Sequence, residues 1–163
     1  MNEFEKASGE IDKVLTDYEE MMNEVQKTLR AKMKDVFKSF FDSYPEVKTI
    51  HWTQYAPYFN DGDECVFGVY QPYFTRTEHA ELEDREHAWG EGDDGIIETR
   101  VWDEVSRRYV AADIDPNLIR DMDTFTGILQ SEANEAVMQA MFGNHVWVKA
   151  HRDGFEVDDY DHD

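Results

Sequence analysis

The chain has 163 residues, and its 37 acidic side chains outnumber its 16 basic ones, which gives a formal net charge of −21. Such a charge repels nucleic acid and anionic membranes, so direct binding to either is excluded from the expected functions. Hydrophobic residues make up 40% of the chain and aromatic residues 13%, which predicts one folded domain of residues 1–163 and not a disordered chain.

The negative charge is concentrated in the later part of the chain. Residues 1–48 hold 11 acidic and eight basic side chains, whereas residues 49–163 hold 26 acidic and eight basic side chains. A nearly neutral N-terminal arm therefore precedes a body with a net charge of −18. A body of this charge attracts basic proteins, which predicts a basic protein, for instance one that binds nucleic acid, as the partner.

An apolar seam predicts that residues 1–45 form a long helix, which Pro45 ends at or before Tyr44. The seam has the alternating steps of four and three residues that mark the a and d positions of a coiled coil. Its members are Ile11, Leu15, Tyr18, Met22, Val25 and Leu29. Two interpretations are open. The favoured one places the seam in the chain's own core, and the other pairs the projecting helix with another chain.

An aromatic β-hairpin is predicted at the start of the body, which spans residues 46–157. Residues 47–55 and 65–70 have the composition of strands, and residues 60–63 have turn chemistry. Cys65, the single cysteine, excludes an internal disulfide and is expected to be buried in the second strand. We expect the hydrophobic core to be centred on eight aromatic residues: Trp52, Tyr55, Tyr58, Phe59, Phe67, Tyr70, Tyr73 and Phe74.

The same hairpin carries a resemblance to other proteins. Residues 52–67 read Trp52-Thr53-Gln54-Tyr55-Ala56-Pro57-Tyr58-Phe59-Asn60-Asp61-Gly62-Asp63-Glu64-Cys65-Val66-Phe67. This segment resembles a motif of uncharacterised small proteins from bacteria and phages, and a similar helix end, residues 40–45, precedes it. The resemblance implies a microbial or phage origin. That family has no function to carry over, so the resemblance implies no site residues.

Residues 78–98 form the most acidic stretch of the chain, and their glycines predict a loop. We predict that this loop is an exposed acidic recognition surface. Its residues are Glu78, Glu81, Glu83, Asp84, Glu86, Glu91, Asp93 and Asp94.

The C-terminal half predicts a strand, a helix and a final hairpin. A short strand is expected at residues 96–102. Asp115 as N-cap and Pro116 at the first helical position then begin a helix that reaches Met141, with Gly143 as its C-cap.

The final hairpin combines residues 145–150 with residues 155–157, and residues 158–163 form an acidic tail that is too polar to pack. Together the elements predict an α+β fold. In this fold the long N-terminal helix and the helix of the C-terminal half pack on a small antiparallel sheet.

No pattern in the sequence predicts catalysis, a metal or a cofactor. Asp113, Asp115 and Asn117 have the spacing that begins a calcium-binding EF-hand loop, but Leu118 and Thr124 replace its essential glycine and glutamate. The histidines lack zinc-site spacing, and the chain has neither a nucleophile elbow nor a phosphate-binding loop.

These observations predict three functions, in order of preference. The first is a non-enzymatic acidic module that binds a basic partner protein, and its narrower form is a phage-type nucleic-acid mimic or inhibitor. The second is an oligomeric structural or scaffold subunit, for example a homodimer, that assembles through the N-terminal helix. The third is a metal-dependent enzyme. The lone cysteine and the lack of signal-peptide and membrane-spanning patterns predict a cytoplasmic protein, in the bacterial host cell if it is phage-encoded.

Overall fold

The computed structural model describes residues 2–58, 61–78 and 95–161. The chain divides into two compact units, Met1–Val36 and Phe37–Asp163. The predicted N-terminal helix is α1 (Glu3–Ser43), which ends two residues before Pro45. Asn2 caps its beginning: the Asn2 side chain accepts a hydrogen bond from the Glu5 backbone N–H (2.7 Å), and the Glu5 carboxylate accepts one from the Asn2 N–H (3.1 Å).

After α1 the elements follow in chain order. They are β1 (Thr49–Tyr55), β2 (Gly68–Val69), β3 (Tyr73–Thr75), β4 (Arg100–Asp103), β5 (Arg108–Ala111), α2 (Pro116–Gln130), a short 3-10 helix (Glu132–Asn134), α3 (Glu135–Phe142), β6 (Val146–His151) and β7 (Gly154–Asp159). The fold is therefore α+β, as predicted.

The main sheet is antiparallel, with the strand order β2-β1-β6-β7 and with β3 also paired to β1. Its centre is the long pairing of β1 with β6, in which Trp52 lies opposite Val148 and Gln54 lies opposite Val146. A separate two-stranded sheet pairs β4 with β5. The final hairpin, β6 and β7, is confirmed, and the predicted strand at 96–102 is confirmed in part as β4.

The core lies on one face of the main sheet. Because side chains alternate along a strand, Ile50 and Trp52 of β1 lie on this face together with Gln54. Trp52 is fully buried, stacks on Phe37 of α1 (5.6 Å between ring centroids) and meets Phe142 of α3 edge-to-face (5.4 Å). Phe37 also contacts Phe125 of α2 (4.8 Å). The end of α1 and both later helices thus supply most of the core.

The aromatic hairpin is therefore not the centre of the core, contrary to expectation. Trp52 and Phe74 are buried, but Tyr58, Tyr70 and Tyr73 are exposed. The second strand is only β2, so Cys65 lies in an irregular segment before it and is exposed, not buried. Without strand pairing, nothing directs the cysteine side chain into the interior. Two of the predicted members, Phe59 of the aromatic set and Asn60 of the turn, lie outside the described residues.

The predicted helix of the C-terminal half begins as expected and is then interrupted. The Asp115 side chain accepts a hydrogen bond from the Asn117 N–H (2.9 Å), and Pro116 is the first helical residue. The helix stops at Gln130, because Ser131 is extended and the Asn134 side-chain amide donates to the Ile128 carbonyl (2.9 Å). α3 then ends at Gly143, whose φ of 98° suits glycine, as predicted.

The acidic tail packs in part, which corrects the prediction for residues 158–163. β7 continues to Asp159, which pairs with Val146. Tyr160 then packs edge-to-face on Trp147 (4.7 Å). The ladder hydrogen bonds satisfy the backbone while the aspartate side chains stay exposed, so the polarity of this segment does not prevent it from joining the sheet. Residues 162–163 lie outside the described part.

Candidate functional site

The α1 seam, defined as Ile11, Leu15, Tyr18, Met22, Val25 and Leu29, is exposed over most of its length. The side chains from Ile11 to Val25 are between 39% and 61% exposed, and Leu29 is half-buried. The favoured interpretation, in which the seam is core of the same chain, is therefore wrong from Ile11 to Val25. The rest of the chain leaves these five side chains exposed.

Further apolar side chains widen this face. The a positions of the seam are Leu15, Met22 and Leu29, and its d positions are Ile11, Tyr18 and Val25. The g positions, which lie next to the a positions, include Val14 and Met21. Val14 is 67% exposed, Met21 58% and Phe4, one heptad before Ile11, 78%. Eight large apolar side chains are thus exposed on one helix between residues 4 and 25. Exposed apolar patches of this kind mark surfaces that bind other molecules.

The opposite edge of the seam is acidic. Glu5, Asp12 and Glu19 fall at e positions, each next to the seam, and all three are exposed. An exposed ion pair, Lys27 with Glu24 (3.5 Å), lies on the outer surface of the helix and contributes little stability. The seam therefore has one apolar edge and one negatively charged edge.

The predicted acidic recognition surface can be located only at its first residue. Glu78 is exposed, and its carbonyl oxygen accepts a hydrogen bond from the Lys149 ammonium (3.0 Å). Lys149 also lies 3.5 Å from the Glu156 carboxylate on β7. The other seven residues lie outside the described part of the chain: Glu81, Glu83, Asp84, Glu86, Glu91, Asp93 and Asp94.

A groove of about 600 Å³ opens beside the β4–β5 hairpin, and we call it the hairpin groove. Residues of β3, β4, β5 and α2 line it. Four of the lining side chains are buried and apolar: Pro72, Phe74, Ile97 and Met122. Three are exposed and aromatic: Tyr73, Trp102 and Tyr109. This groove was not predicted from the sequence because β5 was not, although Tyr109 and Val110 are of residue types that are enriched in strands.

A buried polar cluster lies on the other face of β1. Thr49 Oγ1 is 2.7 Å from His51 Nε2 and also hydrogen-bonds the Thr75 hydroxyl. His51 is 1% exposed, and its Nδ1 has no hydrogen-bond partner within the described residues. The cluster joins β1 to β3, because Thr49 of β1 lies opposite Thr75 of β3. It is therefore part of the internal structure of the sheet.

Two tyrosines have raised pKa values for structural reasons. The hydrogen bond from the Tyr44 hydroxyl to Asp121, together with burial, raises the pKa of Tyr44 to about 12. Burial and then a hydrogen bond with Tyr70 raise the pKa of Tyr55 to about 12. In turn, the Tyr44 hydroxyl, followed by Arg120, lowers the pKa of Asp121 below its ordinary value.

Within residues 2–58, 61–78 and 95–161, no three histidine, cysteine or carboxylate side chains come together as a metal site. In the same ranges, no helix combines the length and apolar content needed to cross a membrane. Comparison with protein-family models, curated protein sequences and solved structures finds no match. The resemblance of residues 52–67 to bacterial and phage proteins therefore stays a prediction.

Proposed function

We propose that this protein is a non-enzymatic assembly subunit that associates with further copies of itself through the α1 seam. The observation that carries the proposal is the exposure of the seam from Ile11 to Val25. Burying a large apolar side chain contributes about 1.5–3 kcal/mol, and the eight exposed side chains leave that contribution unused in the single chain. The free energy gained by burying several such side chains together can exceed the entropic cost of association.

The seam residues favour a second copy of this chain as the occupant. A coiled-coil seam is complementary to itself, because a and d side chains of one helix pack between those of the next. Two of the a positions hold leucine, Leu15 and Leu29, and two of the d positions hold the β-branched Ile11 and Val25. This arrangement favours assemblies of more than two helices. The apolar g positions Val14 and Met21 point to the same outcome, since a broader apolar face contacts more than one neighbour.

The mass of the full-length protein in solution tests this proposal. We expect an oligomer at micromolar concentration. Leu15→Glu, which places a charge in the seam, should return the protein to a monomer. Thr16→Glu is the matched control, because it adds the same charge one residue later at a b position outside the seam. A wild-type monomer at every concentration up to roughly 0.1 mM, or equal behaviour of the two variants, would refute self-assembly.

Charge provides the second candidate function, the binding of a basic partner protein. In the described part of the body, from residue 49 onward, 18 acidic and seven basic side chains give a net charge of −11. A field of this sign attracts basic surfaces over several ångströms and weakens as salt screens it. A narrower form of this function, mimicry of nucleic acid, requires a partner whose basic surface otherwise binds DNA or RNA.

The response to salt concentration distinguishes self-assembly through the α1 seam from the binding of a basic partner. Assembly through an apolar seam between chains of charge −21 should strengthen with salt, because their mutual repulsion is screened. Capture of a basic partner should weaken as the salt concentration rises, because salt screens the attraction between opposite charges. We would elute partners from the immobilised protein with increasing NaCl, and then repeat the binding with the purified partner and duplex DNA as competitor. Salt-independent capture would refute the electrostatic function, and failure of DNA to compete would refute mimicry of DNA.

A cytoplasmic location is part of the proposal. Cys65 is exposed, and exposed thiols persist in the reducing cytoplasm but form disulfides in oxidising compartments. We expect Cys65 to react with a maleimide immediately after cell lysis without added reductant. Protection that only a reductant relieves would contradict this location.

A further inference from the structure

The hairpin groove carries an aromatic pair beside a buried apolar surface. Trp102 and Tyr109 lie directly opposite each other on β4 and β5, with their ring centroids 5.3 Å apart and their planes at 71°. A cross-strand pair of this kind stabilises the hairpin itself. Both rings nevertheless keep about half of their surface exposed, Trp102 48% and Tyr109 60%, and both face the groove. Flat aromatic surface is therefore available to a ligand.

Two carboxylates lie in the same lining. Glu98 precedes β4 and Asp123 lies on α2, and both are exposed. Neither forms an ion pair with any residue of the described part of the chain. Arg100, the basic residue of the lining, donates a hydrogen bond from its guanidinium to the Tyr109 carbonyl (3.2 Å) and is thus engaged by its own hairpin. Glu98, Asp123 and Arg100 together leave the lining with one net negative charge beside its aromatic faces.

We propose that the hairpin groove binds an arginine side chain presented by an extended segment of a basic partner protein. A guanidinium is planar, so it can stack on the Trp102 ring and at the same time donate hydrogen bonds to a carboxylate such as Asp123. A lysine ammonium can attract the carboxylate but has no plane to stack. The proposal rests on the second proposed function, the binding of a basic partner, and it is independent of assembly through α1.

A model peptide tests the site on the full-length protein. The probe is acetyl-Gly-Ser-Gly-Arg-Gly-Ser-Gly-amide, titrated into ¹⁵N-labelled protein. Its control contains citrulline, which keeps the shape of arginine without the charge. We expect saturable shifts of the Trp102 indole N–H signal, identified by its loss in Trp102→Phe. The citrulline peptide should bind at least roughly fivefold more weakly, because cation–π and charge-assisted hydrogen bonds are both lost.

Variants locate the binding within the groove. Trp102→Ala and Asp123→Asn should each weaken binding of the arginine peptide roughly two- to fivefold. Binding to these variants is measured from the backbone amide signals of β4 and β5, because Trp102→Ala removes the indole signal. Val105→Ala is the matched control, since Val105 is 93% exposed in the turn of the same hairpin and does not line the groove. Unchanged signals elsewhere in the spectrum of each variant establish that its fold is intact.

The outcomes separate this inference from the function on which it rests. Equal binding of the citrulline peptide, shifts confined to other tryptophans, or the absence of saturable shifts would overturn the arginine site. If Trp102→Ala captures a basic partner with the same affinity and the same salt dependence as the wild type, the groove is refuted and the second proposed function stands. If the wild-type protein captures no basic partner, that function fails by itself, and binding of the peptide in the groove is then judged by the titration alone.

Discussion

Gln54 joins three polar groups through a single side chain. Its amide nitrogen donates to the carbonyl oxygens of Met138 (2.9 Å) and Gly143 (2.7 Å), at the middle and the end of α3. Its amide oxygen accepts a hydrogen bond from the Trp52 indole N–H (3.0 Å). Gln54 is fully buried, so no water replaces these bonds. The side chain thereby ties the central strand to the helix that covers it.

We expect Gln54→Leu to lower the free energy of unfolding by about 2–4 kcal/mol, because the buried indole N–H, the buried Met138 carbonyl and the half-buried Gly143 carbonyl all lose this partner. Urea-induced unfolding measures the change. Gln130→Leu is the control: Gln130 is exposed and makes one weak bond to the Val69 carbonyl (3.3 Å), so it should cost less than about 1 kcal/mol. Similar losses for the two variants would contradict the role of Gln54.

The raised pKa values of Tyr44 and Tyr55 predict that the protein loses stability at alkaline pH. Their pKa values are raised from 10.0 to about 12, so the folded state favours the neutral phenol. The stability that this preference contributes is fully present below pH 10 and is lost as the pH rises towards 12. The free energy of unfolding should therefore fall between pH 10 and 12. The fall should be smaller in a Tyr44→Phe, Tyr55→Phe double variant, and an equal fall in both proteins would contradict the prediction.

At the scale of elements, α1 shows what periodicity predicts and what it does not. Apolar residues recur at helical steps of three or four from Ile11 to Phe40, with two successive steps of four at Val25, Leu29 and Met33, and they correctly predict one helix. Phe37 and Phe40 are buried, whereas Ile11 to Val25 are exposed. Helical periodicity identifies the apolar face but not the molecule that covers it, because that depends on residues distant in sequence.

The N-cap of α2 at Asp115 predicts how much this residue contributes to stability. Asp115→Ala removes the side chain that accepts the hydrogen bond of the Asn117 N–H, so it should cost about 1 kcal/mol of stability. Asp113→Ala is the matched control, as Asp113 is an exposed aspartate two residues before the cap and outside the helix. If both variants were as stable as the wild type, the cap would have no energetic role. Calcium should not change either result, because the spacing of an EF-hand is incomplete here.

At the scale of the whole molecule, the chain divides into two compact units, Met1–Val36 and Phe37–Asp163. The exposed seam predicts that residues 2–25 contribute to assembly and little to the stability of the single chain. Deleting them should abolish self-association. At a concentration where the full chain is monomeric, the unfolding midpoint should be unchanged within about 2 °C, the shift that a few tenths of a kcal/mol produce. A markedly lower midpoint would show that this segment stabilises the body.

The sequence by itself determined the long helix, the α+β class, the Asp115 and Gly143 helix ends, the final hairpin and the charge of the body. These features depend on local periodicity, on capping chemistry and on composition. Only the tertiary structure decided which aromatic residues are buried, that Cys65 is exposed, that Gln54 joins β1 to α3, and that Trp102 and Tyr109 line a groove. Each of these depends on contacts between residues far apart in the chain, and a hydrophobic side chain has the same local pattern whether its own chain or another molecule covers it.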